Sequence, residues 1–405
     1  MSDTPEYGPP LKVRYVLVSR HVAYRDADGA IWLSGGWWQD VMRHLAYVRA
    51  FRLVSPVAPL PEDLGDLVKL EPPAGVEFEM VALPTGIDGV AGIVRRAPAI
   101  FKILRAAIRD ADIVQPDNIG WPVGWLACRI GTGSRKVVVV VVENGHWRAL
   151  ADARLVRRAA GAAWEFVIKN IIARASIVFY TQALYRESLP PGHGRIGEVI
   201  PASWVDDADL LTPEAVTTAW ERKPSKPSFL FAGRLIEAKG TGTLAKAVSI
   251  LRDRGVSIVV DFIGDGPLRP DVEAAGSGGG ETESQLLDEV PYGVPFFELV
   301  DRYHGLVVPV ISDEQPRIVF DGYARSVPCV ASDADGIRPH VTEGETGWTF
   351  SAGDPVSLAD ALEEASASIP ELQRRGRAGL KSVAGVTHSE MHRRRHAALE
   401  RLLSR

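Results

Sequence analysis

The sequence predicts two doubly wound α/β domains in one chain. Three observations lead there. At 405 residues the chain exceeds what one ordinary core holds. Short β-branched runs alternate with longer helical patterns along its whole length, the signature of strands that each feed a covering helix. An irregular stretch rich in proline, Pro201 to Pro227, divides the series in two and reads as a linker and hinge. The expected organisation is a first domain over 1–200, a linker over 201–227, a second domain over 228–385 and a basic terminal helix over 386–405 that is free to cross back to the first domain.

In the first domain the strands are expected at Val13–Val18, Arg52–Ser55, Ile113–Gln115, Val137–Val142, Ile177–Tyr180 and Glu198–Ile200. Val137–Val142 is apolar at every position, as a strand covered on both faces must be. The second series expects Ser228–Gly233, Ser257–Gly264, Gly305–Val310 and Pro328–Ser332, with Gly276–Ser284 as a flexible loop. In such sheets ligands bind beyond the carboxyl ends of the strands, so the loops that follow strands are where chemistry is to be sought.

Composition excludes several classes. Hydrophobic residues at 46% with charged residues at 24% are the proportions of a folded globular chain. The longest wholly apolar run, six valines, is too short for a bilayer. The acidic, proline-rich opening MSDTPEYGPP reads as neither a secretory nor a transit signal. Two distant cysteines, Cys128 and Cys329, build no disulfide framework and no cysteine-based zinc site, so a cytoplasmic location is expected.

The net charge of −5 is unevenly divided. Residues 1–200 carry 24 Lys+Arg against 20 Asp+Glu, a net of +4; the remainder carries 46−24 = 22 against 51−20 = 31, a net of −9. The basic residues of the first half concentrate at Arg95, Arg96, Lys102, Arg105 and Arg109, and at Arg154, Arg157, Arg158, Lys169 and Arg174. Helical spacing allows each stretch either an ordinary solvated face or peripheral contact with an anionic membrane at its inner face. Nucleic acid is not expected as a partner, since the whole chain is acidic and carries no recognition motif.

Three loops carry candidate chemistry. In FAGRLIEAKGTGTL, Gly233 and Arg234 follow a strand and Lys239 and Gly240 open a helix. Two cations at that spacing can converge on one anion above the helix N-terminus, Arg234 as a fork and Lys239 as a point charge. Two solvated surface cations are the alternative. In VISDEQPRIVFDGYARSVPCVAS, Asp313 lies in the loop after a strand and Asp321 about two turns further on, in a helix expected from Pro316 to Arg325. Carboxylates accept well from vicinal diols, and the amides of Arg317 and Ile318 are placed to meet a phosphate; a helix-capping acid and an exposed acid are the alternative. In DFIGDGPL, Gly264 and Gly266 would let the backbone approach a flat base.

Taken in order, GR-x4-KG, IGDGP and the acid-x7-acid pair ahead of VPxVAS resemble the donor domain of GT-B glycosyltransferases, in particular the retaining family 4. Gly233, Arg234, Lys239, Gly240, Gly264, Asp265, Gly266, Pro267, Asp313, Asp321, Pro328, Ser332 and Gly336 fall in register with that pattern, which covers about 228–350. The resemblance implies two Rossmann-like domains facing a cleft and a nucleoside-diphosphate-sugar donor, UDP- or GDP-linked. It further implies an acceptor hydroxyl on a glycan, a lipid-linked glycan or a small molecule, and needs neither metal nor cofactor. Arg234 and Lys239 would hold the diphosphate, Asp313 the transferred sugar and Asp321 the ribose. The chain departs from the pattern at several points. Asp313 and Asp321 stand where glutamates are usual, Glu314–Arg317 replace a glycine-containing stretch, Ser326 replaces a glycine and Pro339 a glutamate.

For the first half the resemblance implies a glycine loop after the first strand, for which Gly35 and Gly36 are the candidates. It also implies a histidine after the central strand, for which His146 is the nearest, with Glu143 competing and a purely structural histidine as the alternative. Trp37, Trp38 and Trp147 are candidate sugar-stacking residues or core packing. Of the acid pairs that hint at a metal-dependent enzyme of another fold, Asp26/Asp28, Asp110/Asp112 and Asp333/Asp335, none follows a suitable nucleotide-binding strand. The rival readings are an epimerase or phosphorylase of the same fold, and a catalytically silent sugar-nucleotide binder.

Overall fold

The computed structural model describes residues 7–87, 89–143 and 155–404, the side chains of 155–158 excepted. The chain divides into two compact units. One is Met1–Pro201 with Met391–Arg405, and the other is Ala202–Glu390.

The first unit runs β1 (Leu11–Val18), β2 (Ala23–Arg25), β3 (Ile31–Ser34), α1 (Gly35–Leu45), β4 (Val48–Pro59), β5 (Leu67–Lys69), β6 (Glu77–Leu83) and α2 (Val90–Ile108). It continues with β7 (Ile113–Pro116), α3 (Pro122–Gly133), β8 (Val137–Val142), α4 (Leu155–Arg174), β9 (Ile177–Tyr180), α5 (Ala183–Ser188) and β10 (Ile196–Val199). Its parallel strands lie in the order β10-β9-β8-β7-β1-β4-β6, so strand order reverses between β1 and β7. The second half of β4 carries β2, β3 and β5 as an added edge. Apolar side chains cover both faces, as the valine run required. Val16, Val18, Val54 and Val114 meet Ile100, Leu104 and Ile108 of α2, while Val138, Val140, Val142 and Val178 meet Ile168 and Ile172 of α4.

The second unit runs α6 (Pro213–Glu221), β11 (Ser228–Ala232), α7 (Thr241–Asp253), β12 (Ile258–Ile263), α8 (Arg269–Gly276), β13 (Thr282–Glu283), β14 (Leu286–Leu287) and α9 (Val294–Val300). Then come β15 (Gly305–Val308), α10 (Ile318–Ala324), β16 (Cys329–Ser332), β17 (Gly347–Phe350), α11 (Pro355–Ser366), α12 (Ile369–Val383) and α13 (His388–Leu403). The sheet order is β13-β12-β11-β15-β16-β17, with β14 also on β12, and it reverses between β11 and β15. Phe229, Phe231, Val260 and Phe262 pack under Leu244, Val248 and Leu251 of α7. On the other face Leu230, Leu306 and Val308 pack under Val319, Phe320 and Tyr323 of α10.

Four sequence expectations change. The segment 201–227 is not a free linker: from Ala202 it belongs to the second unit. It forms α6, whose Val216 and Trp220 enter that unit's core, and the Leu211 amide donates to the Ala324 carbonyl at 3.0 Å. Two buried apolar side chains outweigh the local proline signal. The loop at 276–284 contributes β13, because Thr282 and Glu283 pair with Ile258 and Val259; a two-residue strand is too short to show a pattern. The helix expected from Pro316 begins at Ile318 instead, with Arg317 at its N-cap. The terminal helix splits: from Met391 it belongs to the first unit, where Arg394 donates to the Val199 carbonyl at 2.7 Å and His392 Nε2 lies 3.1 Å from Asp40.

Ser326 shows why a glycine is usual where it stands. It follows α10 with φ of 56°, a left-handed backbone, and its buried hydroxyl has no hydrogen-bond partner among the described residues. A non-glycine residue there costs about 1–2 kcal/mol, and an unsatisfied buried hydroxyl costs more. Glycine gives back part of this through its freer unfolded chain. Ser326→Gly is therefore expected to stabilise the second unit by about 1 kcal/mol, seen as a rise in its calorimetric midpoint; a fall would show that the hydroxyl has a partner in solution.

Candidate active site

In both sheets the reversal of strand order opens a crevice at the carboxyl ends of the two central strands. In the second unit those ends are Ala232 of β11 and Val308 of β15. Pro309, lacking an N–H, stops β15 two residues before the expected Val310.

Three loops converge on this crevice. The Gly233 amide donates to Ile263 at 3.0 Å and the Leu235 amide to Asp265 at 2.9 Å, which ties the Arg234 loop to the Gly264–Gly266 turn. A β-carbon on Gly264 would lie 2.1 Å from the Gly233 carbonyl oxygen, and one on Gly266 would lie 2.5 Å from that of Leu235. These glycines are therefore required by loop-to-loop packing, not by the approach of a flat base. The Ile311 amide donates to Ala238 at 3.2 Å, which brings in the third loop. That loop is fixed from behind. Gln315 exchanges two hydrogen bonds with the Ala202 backbone, at 3.0 and 2.8 Å. The Arg317 guanidinium lies over the Trp204 ring at 5.0 Å, and a β-carbon on Gly336 would meet the Glu314 carbonyl oxygen at 2.3 Å.

Arg234, Lys239, Asp313, Arg317, Ile318 and Asp321 are thus placed on loops and a helix that meet at one sheet edge. Arg234 is exposed and without an ion pair among the described residues. Lys239 Nζ sits 3.1 Å from Glu314, both about three-quarters buried. Asp321 is 5% exposed; Tyr292 donates its hydroxyl to it at 2.8 Å, and burial pushes its carboxyl up to about 7. The expectation of a simply exposed acid at 321 is excluded by this burial.

In the first unit the glycine pair does not occupy the loop after the first strand. Between β1 and α1 the chain inserts the β2–β3 hairpin, and Gly35 and Gly36 are the first two residues of α1. The Gly35 amide donates to Asp66 at 3.2 Å. The loop that does follow β1 is Ser19-Arg20-His21, opposite Asp117 at the end of β7. Ser19 donates to the Asp117 carboxylate at 2.6 Å and the Arg20 amide does so at 2.9 Å. His21 Nε2 lies 3.9 Å from the same oxygen, and the ring is 5.4 Å from Trp37. Burial raises the Asp117 carboxyl. In the sequence this loop is marked only by a polar SRH directly after an apolar strand, a weaker signal than the GG pair. His21 and Tyr24 also line a cavity of about 440 Å³ with Asp63 and Asp66.

His146 and Trp147 lie outside the described residues; Glu143 directly follows β8. Trp37 is buried, and Trp38 donates to the Lys69 carbonyl at 3.1 Å. The acid pairs have structural work. Asp110 pairs with Arg14 and Arg52, Asp26 accepts from Trp32 and two amides, and Asp333 accepts from Ala352. On α2, Arg95, Lys102 and Arg105 are exposed, as is Arg109 at its C-cap, while Ile100, Leu104 and Ile108 are buried; Arg154 and the side chains of Arg157 and Arg158 lie outside the described residues. No described helix is long and apolar enough to cross a membrane.

Residues 226–368 match the family Glycosyl transferases group 1. The alpha-D-kanosaminyltransferase of Streptomyces kanamyceticus is 27% identical over 175 residues, which is 42% of this chain and 44% of that enzyme. The chain thus spans under half of that relative's length. Sucrose-phosphate synthase from Thermosynechococcus elongatus superposes with a TM-score of 0.69 at 15% identity, over 96% of this chain and 99% of that one. HepE from Anabaena, solved in complex with UDP, gives 0.65 at 12% identity over 97% and 100%. The two reversed sheets, the loops gathered at their carboxyl edges and the matched segment together identify residues 226–368 as a glycosyl transferases group 1 domain, within a chain whose two Rossmann-like units have the GT-B fold.

Proposed function

We propose that the chain transfers a sugar from a nucleoside diphosphate, UDP or GDP, to the hydroxyl of a glycan, lipid-linked or small-molecule acceptor, with retention of configuration. The observation that carries this is the meeting, at the β11–β15 crevice, of the loops that contain Arg234, Lys239 and Asp313, the last of them leading into the helix that contains Asp321. A departing diphosphate needs its growing negative charge neutralised, and a guanidinium fork with an ammonium does this in a preorganised, half-buried site. The two cations take the role that a metal takes in other transferases, so no metal is required. Asp321 accepts from ribose hydroxyls and Asp313 from the hydroxyls of the transferred sugar. No protein nucleophile is needed where the leaving phosphate takes the acceptor proton, and His146 then orients the sugar. The UDP of HepE, a protein of the same fold, is consistent with this reading.

A thermal-shift panel of UDP, GDP, ADP and TDP with their common sugars, run with Mg²⁺ and with EDTA, tests the donor site. One nucleotide series is expected to raise the midpoint equally in both buffers, following the mass-action relation between ligand and stability. A shift abolished by EDTA would overturn the metal-free reading, and no shift with any of them would overturn the donor site. Incubation with the stabilising donor alone separates the enzyme rivals, since an epimerase alters the sugar without an acceptor. A silent binder would show the shift with neither transfer nor hydrolysis.

A further inference from the structure

Two contacts in the β11–β15 crevice have the chemistry of a bound nucleotide but come from the chain itself. At Lys239 the Glu314 carboxylate stands 3.1 Å from the ammonium, where a phosphate oxygen would stand. At Asp321 the Tyr292 hydroxyl donates at 2.8 Å, the bond a ribose hydroxyl would make. We propose that the donor site is held by these two internal stand-ins until a nucleoside diphosphate displaces them, Glu314 yielding to the phosphates and Tyr292 to the ribose. The proposal rests on the assignment of Lys239 and Asp321 to the donor.

The surroundings let both side chains move while their backbones stay. The Glu314 backbone abuts Gly336, and its neighbour Gln315 is anchored on Ala202, but the glutamate side chain has three rotatable bonds and is partly exposed. Diphosphate and Glu314 cannot share one ammonium without like-charge repulsion, so anion binding drives the carboxylate away. Tyr292 lies in the turn between β14 and α9 and is 46% exposed. Its ring stacks on Phe296 with centroids 5.8 Å apart and meets Phe297 edge-on at 5.7 Å. That aromatic shelf supports the ring independently of the hydroxyl bond to Asp321, so the bond can be given up without unseating the ring. The hydroxyl also explains how a carboxylate that burial disfavours is kept satisfied while no nucleotide is bound.

The test is calorimetric titration of the full chain and of Glu314→Gln and Tyr292→Phe with UDP, GDP, inorganic pyrophosphate, uridine and guanosine. Glutamine keeps the size of Glu314 and removes its charge; phenylalanine keeps the stacked ring and removes the hydroxyl, so both variants should fold. Glu314→Gln is expected to bind pyrophosphate and the nucleoside diphosphate about fivefold tighter, with nucleoside affinity unchanged. Tyr292→Phe is expected to bind the nucleoside about fivefold tighter, with pyrophosphate unchanged. Unchanged or weaker binding in these two pairings overturns the stand-ins while leaving the donor site in place, provided the parent binds a nucleoside diphosphate. Absence of nucleoside diphosphate binding by parent and variants alike overturns the donor assignment and the stand-ins with it.

Discussion

Replacing Lys239 by alanine is expected to slow sugar transfer by roughly 100-fold or more, and Arg234→Ala to do the same, because each removes a cation that the proposed function assigns to the departing diphosphate. Loss of one such preorganised donor costs about 3 kcal/mol of transition-state stabilisation. The two substitutions should leave the fold intact. Arg234 is exposed, and the solvent-accessible pair between Lys239 and Glu314, each with about a quarter of its side chain exposed, contributes about 1 kcal/mol to stability. Rates of transfer and calorimetric midpoints measured on the same preparations separate the two effects. Arg234→Lys should recover only part of the rate, since an ammonium does not reproduce a planar fork. Near-normal turnover in both alanine variants would sink the assignment of the diphosphate site.

Gly240→Ala acts through the fold and is expected to destabilise the second unit by about 3 kcal/mol, the sum of a left-handed alanine and a steric clash. Gly240 has φ of 74° and directly precedes α7. A β-carbon there would stand 1.8 Å from the Pro309 carbonyl oxygen and 2.6 Å from its carbonyl carbon. Neither is the end of a flexible side chain, so the backbone itself has to move. The displaced strand end is the one that leads into Asp313, and the residue before Gly240 is Lys239, so the surviving folded fraction should also bind nucleotide poorly. Gly36→Ala is the control. Gly36 lies inside α1 with open space around it, and alanine there should be neutral or stabilising by up to about 1 kcal/mol. An unaltered midpoint for Gly240→Ala would show that this turn is looser in solution than the contact implies.

The donor half was the more legible part because its chemistry is local in sequence. Arg234, Lys239, Asp313 and Asp321 each follow a strand whose apolar run marks where the loop begins, and close glycines mark where backbones touch. What local patterning misassigned was the reason for the glycines: Gly264 and Gly266 look alike whether a base or another loop approaches them, and only the position of Gly233 and Leu235 decides. In the first half, Ser19 and Asp117 are 98 residues apart. Nothing in either neighbourhood announces the other, whereas Gly35-Gly36 advertises a loop it does not form.

By itself the amino-acid sequence determined the two doubly wound sheets and the strands at their centres, because period-2 and period-3.6 patterning are properties of neighbouring residues. Tertiary structure alone decided that 202–227 is part of the second unit's core, that the chain from Met391 returns to the first unit, and that Asp321 is buried under Tyr292. Each of these depends on contacts between residues far apart in the chain, whose free energy comes from apolar area removed from water and polar groups satisfied at a distance.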